Sequence, residues 1–217
     1  MLHIMKTMPY ENLVKKAEAE FPTIWGKFRI MGFEGHRSST QRTEEAVALI
    51  HGDIHAAPPL VRIHSQCLTG DVFGSLRCDC RQQLEMALRM IADAQAGVLV
   101  YEQQEGRGIG LMAKLQAYAL QDNGLDTVEA NQELGFEADH RNFGLPVEIL
   151  KHLGLRQVKL LSNNPDKIAA LEAAGIHVVE RVPAEVKPQA TFAKYLEVKK
   201  EKMGHLFGAT AATPAKK

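Results

Sequence analysis

No charge of either sign prevails in the 217-residue chain, where 26 lysines and arginines face 26 aspartates and glutamates. Proteins that hold nucleic acid along a surface are usually basic, so the balance argues against that class and leaves only local anion sites. No apolar run approaches the roughly 18–20 residues of a membrane-spanning helix. The opening MLHIMKTMPYENLVKK has no apolar stretch followed by a small-residue cleavage site, so it does not read as a secretory signal. These absences give the expectation of a soluble, cytoplasmic protein with no nucleic-acid or membrane partner. Internal repeats and low-complexity linkers are missing as well. With 45% hydrophobic residues, the chain suits one medium domain with a buried core.

Cysteine is scarce and confined. All three lie in one stretch, C67-LTGDVFGSLR-C78-D-C80. An odd count without a signal peptide does not fit an extracellular disulfide scaffold. Three thiolates including a CxC pair suit zinc, which favours soft sulfur ligands in tetrahedral geometry. Structural zinc usually has four protein ligands, and there is no fourth cysteine. Three ligands leave one position for water, as in a catalytic site. Two other readings share the spacing: three unrelated buried cysteines, or a structural site completed by His64 or another histidine.

The first third is β-rich, with alternation over Ile24–Ile30, around Val47–Ile50 and over Leu60–His64 after Pro58-Pro59. The period then changes. Leu84, Ala87, Leu88 and Ile91 fall at helical spacing, Val98–Tyr101 reads as a buried strand, and a second helix passes through Leu111, Leu115, Tyr118 and Ala119. Pro146 opens a helix closed by Gly154, followed by a strand at Val158–Leu161, a capping turn Ser162-Asn163-Asn164-Pro165, a helix to Gly175 and a strand at Ile176–Val179. Strand, helix, strand in succession points to parallel pairing. The expected fold is α/β, a mixed sheet with flanking helices and a β-rich N-terminal portion.

Between a strand and a helix lies Glu105-Gly106-Arg107-Gly108-Ile109-Gly110. Glycines there let backbone N–H groups approach a phosphate, and Arg107 adds a forked donor. It is neither GxGxxG nor a P-loop, and a tight turn without a ligand fits equally. The segment TVEANQELGFEADHRN, residues 127–142, reads in isolation as a solvated loop. Lys167 reads as a surface lysine.

Together, RIHSQCLTGDVFGSLRCDC, QEGRGIGL, AYALQDNGLDTVEAN, GFEADHRNF, LLSNNP and EKMGHL resemble the GTP cyclohydrolase II family from about Trp25 to Leu206, in the family's order and spacing. The resemblance implies a catalytic domain over residues 21–207, with residues 1–20 as an N-terminal extension and 208–217 as a disordered tail. It implies one zinc per chain on Cys67, Cys78 and Cys80. Arg141 would attack the α-phosphate of GTP with Asp139 assisting its deprotonation, and zinc-activated water would open the purine at C8 with help from Tyr118. Substrate contacts would fall on Arg62, Ile63, His64, Ser65, Gln66, Gln83, Glu105, Gly106, Arg107, Thr127, Ser162 and Lys167. Magnesium would accompany the triphosphate, and the unit would be a homodimer. The implied reaction converts GTP to 2,5-diamino-6-(5-phosphoribosylamino)-4-pyrimidinone, formate and pyrophosphate, the first step of riboflavin biosynthesis.

Departures from the family pattern are Gln66 for glutamate, Arg81 for glycine, Gln103 and Gln116 for arginine, Asn142 for aspartate and Ser162 for threonine. They keep a second enzyme reading in view: a paralogue that gives a formamidopyrimidine or feeds a deazapteridine-type pathway. A zinc-stabilised binding module that has lost catalysis would lack Arg141 or Asp139, and both are present.

Overall fold

Seven strands form one sheet in the computed structural model, which describes residues 10, 12–37, 42–137, 139–186, 204 and 206. Strands β1 (Asn12–Thr23), β2 (Gly26–Arg37) and β3 (Arg42–His51) make an antiparallel meander. The first turn is closed by Thr23, whose Oγ1 accepts from Trp25 N and Gly26 N at 3.1 and 3.2 Å. Ile24 and Trp25 therefore form the turn rather than the start of a strand. β1 begins at Asn12, inside the segment expected as an extension. The tail from 208 lies outside the described residues.

β4 (Leu60–Ser65), β5 (Gly97–Glu102), β6 (Gln157–Leu161) and β7 (His177–Val182) are mutually parallel, and the sheet order is β1-β2-β3-β5-β4-β6-β7. Only β3 against β5 joins the two halves, and it is antiparallel. The expected mixed sheet with a β-rich N-terminal part is the fold observed.

Helices α1 (Cys80–Asp93), α2 (Leu111–Asp122), α3 (Thr127–Glu133), α4 (Gly144–His152) and α5 (Pro165–Ala173) complete the order. α1 lays Ala87, Leu88 and Ile91 on one face of the sheet, against Phe28, Leu49, Leu60 and Leu99. On the other face, α4 and α5 contribute Leu145, Ile149, Leu150 and Leu171 to a core with Val61, Ile63, Val98, Val100 and Leu160. The two sets alternate along β4 and β5, as the period-two geometry of a strand requires. No described helix is long and apolar enough to cross a membrane.

α3 was not expected from the sequence. Its N-cap Asp126 accepts from Val128 N and Glu129 N while Glu129 reaches back to Asp126 N, a reciprocal cap that stabilises a seven-residue helix.

The connection β4–α1–β5 runs over one face and β5–α4–β6 over the other, so the chain reverses direction at β4. In open α/β sheets that reversal leaves a crevice beyond the carboxyl ends of the strands. The loops after β4, β5 and β6 meet there.

The parallel pairing that sets this geometry is tight at its start. A Cβ on Gly97 would lie 2.5 Å from the carbonyl oxygen of Leu60 and 3.0 Å from Ile91 Cγ2, whereas one on Gly32 would meet nothing within 4 Å. Gly97→Ala is expected to cost about 1–3 kcal/mol by overpacking, and Gly32→Ala to be neutral or stabilising by up to about 1 kcal/mol. Urea unfolding of the two variants checks the contrast.

Candidate active site

Beyond the ends of β4, β5 and β6 lies a cleft of about 1150 Å³, open solvent at its mouth included. It is lined by Arg62, His64, Ser65, Gln66, Cys67, Cys78, Cys80, Gln83, Glu105, Gly106, Arg107, Tyr118, Thr127, Arg141, Ser162 and Lys167. Ile63 is the exception among the expected contacts. Alternation sends its side chain into the core on the opposite face, and only its carbonyl faces the site, accepting from Lys167 Nζ at 2.9 Å. Asp139 stands behind Arg141 rather than on the lining.

At one end of the cleft the chain leaves β4 and makes a π-helical turn, Leu68–Val72, an element rare in proteins and frequent at functional sites. The turn carries Cys67 back against Cys78 and against Cys80, the first residue of α1. The three sulfurs lie within 4.8 Å of one another, with Cys67 and Cys78 at 3.6 Å. A Cβ at Gly70 would sit 3.0 Å from Cys78 Sγ and 3.1 Å from Cys67 Sγ, so glycine keeps the space over the thiols clear. Three converging soft donors beside a glycine fit a tetrahedral thiophilic metal such as zinc. Among the described residues no other group of three potential ligands comes together, and His64 is not part of this one. S–H donation from Cys78 and Cys80, with the Lys114 ammonium beside it, pulls the Cys67 thiol well below the usual thiol range.

Asp71, in the same turn, is almost fully buried and accepts from His64 Nε2 at 3.1 Å, Tyr101 OH at 2.8 Å and Cys67 N at 2.9 Å. His64 Nδ1 has no hydrogen-bond partner among the described residues. Burial, with Arg62 nearby, holds the His64 pKa below its ordinary value, so the ring is neutral. Tyr118, from α2, reaches the metal loop through Thr69, with its OH 3.1 Å from Thr69 Oγ1. Burial raises the Tyr118 pKa, keeping the hydroxyl protonated.

The other end is cationic. Arg141 is gripped by Asp139, with Nε 2.9 Å from Oδ1 and Nη2 2.5 Å from Oδ2. Arg62 donates to Leu161 O at 3.0 Å and to Gln83 Oε1 at 2.5 Å, while its buried Nε has no partner among the described residues. Burial lowers the Arg62 pKa to about 10, still a cation at neutral pH. Lys167 is buried, not a surface lysine. Desolvation and the two guanidiniums press its pKa well below the ordinary value. Asn164 caps α5 by accepting from Asp166 N at 2.9 Å, and its buried Nδ2 is left without a partner. Buried donors left open beside a cleft are what an anionic, hydrogen-bonding ligand would satisfy.

The glycine-rich turn joins the two ends. Gly106 and Arg107 both adopt left-handed backbone angles, φ 62° and 60°, the second uncommon for a residue with a side chain. A Cβ at Gly108 would lie 2.9 Å from His140 C, so glycine admits the 139–142 loop, which is pinned by His140 N donating to Arg107 O at 3.0 Å.

The family model for GTP cyclohydrolase II matches residues 14–183. The chain belongs to the GTP cyclohydrolase II family. Similar curated proteins include GTP cyclohydrolase-2 of Buchnera aphidicola subsp. Acyrthosiphon pisum, 53% identical over 90% of this chain and 98% of that protein. GTP cyclohydrolase-2 of Histophilus somni is 55% identical over 87% and 86% of the respective lengths. The riboflavin biosynthesis protein RibBA of Chlorobium phaeovibrioides is 50% identical over 95% of this chain, which spans 50% of that longer protein.

Asp71, Lys114, Thr69 and Glu102 were not anticipated as site residues. Glu102 ends β5 on the α4–α5 face, is 1% exposed and accepts from Ser65 Oγ at 2.7 Å and Gln104 Nε2 at 3.3 Å. Gln104 in turn brackets Asn142, accepting from its N at 2.9 Å and donating to its carbonyl. Glu102 thus connects strand β4 with the Arg141 loop. Burial pushes its pKa up from 4.5 to about 7, against the pull of Lys167, Ser65 and Arg141. Between those values the unfolded chain has released a proton that the folded chain still holds. This group's contribution to stability therefore falls as pH rises through the window and levels off above it. Glu102→Gln keeps an acceptor for Ser65 and loses the titration. Relative to wild type it is expected to gain on the order of 1–3 kcal/mol between about pH 5 and pH 8. A pH-independent difference in unfolding free energy would remove this assignment.

Proposed function

We propose that this chain hydrolyses GTP to 2,5-diamino-6-(5-phosphoribosylamino)-4-pyrimidinone, releasing formate and pyrophosphate for riboflavin biosynthesis. The observation that carries the reading is the pairing within one cleft of a three-thiol cluster at one end and an Asp139-gripped Arg141 at the other. Cys67, Cys78 and Cys80 would hold one zinc per chain, which when bound would supply Lewis-acid chemistry for hydrolysis at C8.

At the cationic end, Arg62, Lys167 and Arg107 neutralise the triphosphate, and magnesium joins it through phosphate oxygens and water. Arginine is ordinarily too basic to act as a nucleophile. Asp139, already bonded to Nε and Nη2, is placed to take the proton. The Arg141 nitrogen then bonds the α-phosphorus as the bond to the bridging oxygen breaks, and pyrophosphate leaves. Water later cleaves that P–N bond and returns the proton to Arg141. His64, neutral and held by Asp71, and Ser65, held by Glu102, orient the nucleoside between the two ends. Tyr118 OH, set by Thr69, faces the ring-opening end and assists the formyl hydrolysis. The active unit is a homodimer, and the setting is the cytoplasm.

Of the six departures from the family pattern, Gln66 and Ser162 line the cleft and Asn142 adjoins Arg141, while the other three lie away from it. Arg81, Gln103 and Gln116 are exposed, with Arg81 paired to Glu85 at 2.9 Å and Gln103 bonded to Glu45 at 3.3 Å. The intact Tyr118, bonded to Thr69 beside the thiols, favours the complete reaction over a shortened one.

Incubation of the zinc-loaded protein with GTP and magnesium tests the proposal: formate and pyrophosphate should appear in equal amounts. Pyrophosphate without formate would favour the formamidopyrimidine paralogue. Arg141→Ala is expected to suppress pyrophosphate release by at least about 100-fold, the scale of losing a positioned catalytic group. Formate should fall with it if phosphoryl attack comes first. Tyr118→Phe should leave pyrophosphate release largely intact and slow formate release. Equal loss of both products in Tyr118→Phe would make Tyr118 a packing or binding residue.

A further inference from the structure

Lys114, in the first turn of α2, is a nearly buried cation for which the chemistry above has no use. Its ammonium has three donors, and all three are engaged: Cys67 Sγ at 3.1 Å, Thr69 Oγ1 at 2.9 Å and Glu105 Oε1 at 2.7 Å. Glu105 is itself fixed, accepting from Leu68 N at 2.6 Å and Gly106 N at 3.0 Å. Lys114 Nζ also lies 5.6 Å from the centre of the Tyr118 ring. One ammonium thus connects a metal-binding thiol, the hydroxyl that sets Tyr118 and the carboxylate that fastens the metal loop to the glycine-rich turn.

The sulfur contact is the informative one. Burying an ammonium is costly unless it is paired, and Glu105 alone would serve as a pair. Donation into a sulfur that is also a metal ligand does something more. Three thiolates around one divalent zinc leave a surplus negative charge, which weakens the metal as a Lewis acid. An N–H donor on one sulfur withdraws electron density from it and offsets that surplus, and partners of this kind behind metal ligands tune the metal they support.

We propose that Lys114 is a positioning residue of the metal centre. Through Cys67 it compensates the third thiolate, and through Thr69 it holds the Tyr118 hydroxyl toward the same centre. The inference rests on the zinc-dependent reading above but can be tested without substrate.

The test uses the full-length protein loaded with cobalt(II), whose thiolate-to-metal charge-transfer band reports the electron density on sulfur. Lys114→Met removes the charge and the donor at similar volume, and Lys114→Arg retains both. In Lys114→Met the band is expected to move to lower energy, and cobalt affinity, measured by chelator competition, to fall about 10–100-fold. Lys114→Arg should stay near wild type in both. If circular dichroism shows that Lys114→Met does not fold, the shorter neutral Lys114→Gln carries the same expectation. An unmoved band and wild-type affinity in the neutral variant would overturn the proposal, as would a wild-type spectrum lacking a thiolate band. A shifted band in a protein that does not turn over GTP would sink the functional reading and leave this one standing. Turnover of GTP with an unmoved band would do the reverse.

Discussion

The buried carboxylate of Asp71 is the knot from which the catalytic geometry is suspended. It accepts from His64 on β4, Tyr101 on β5 and the backbone N–H of Cys67. The His64 and Tyr101 rings stack with centroids 5.4 Å apart. The metal loop is therefore registered against two adjacent parallel strands at once. A carboxylate in this position replaces water with three donors, and loss of any one would leave buried polar groups unsatisfied. With Cys67 fixed, the π-helical turn brings it to Cys78 and Cys80, and α1 begins at the cluster. Its amide N-terminus places favourable positive potential beside the thiols.

The sheet explains why one cleft can hold two chemistries. The β4–α1–β5 and β5–α4–β6 crossovers run over opposite faces, so the connection after β4 gathers the thiols, while the loop before α4 and the first turn of α5 bring Arg141, Asp139 and Lys167 to the same end of the sheet. Alternation along β4 sends Arg62 and His64 to one face and Ile63 to the other. Asp139 is the acidic partner that allows Arg141 to be held at the cleft, and Glu102 fixes Ser65 and Gln104 behind it. Lys114 plays the matching part at the thiol end, where a cation offsets anionic sulfur.

Much of this was legible in the sequence because the signals were local. The 84/87/88/91 spacing became α1, Val98–Tyr101 fell within β5, and Ser162–Pro165 became the cap of α5. The cysteine spacing alone pointed to a metal, because thiols so close in the chain meet with little loop-closure cost. What was missed depends on distance or on weak local cues. Glu102 reads as the polar end of a strand, Lys114 as an ordinary residue of a helix, and Asp71 as a loop acid, until non-local contacts bring their partners. The seven polar-rich residues of α3 show little periodicity. Its signal was the reciprocal Asp126/Glu129 cap. Ile63 was carried into the substrate contacts by its place within a motif, although strand alternation would have assigned it to the core.

The proposed chemistry depends on three thiolates holding one metal with a fourth position open to solvent. X-ray absorption at the zinc edge of the substrate-free, zinc-loaded protein measures this directly. The account predicts three sulfur scatterers at about 2.3 Å and one light scatterer at about 2.0 Å from water. A zinc bound by four protein ligands, or by fewer than three sulfurs, would contradict it.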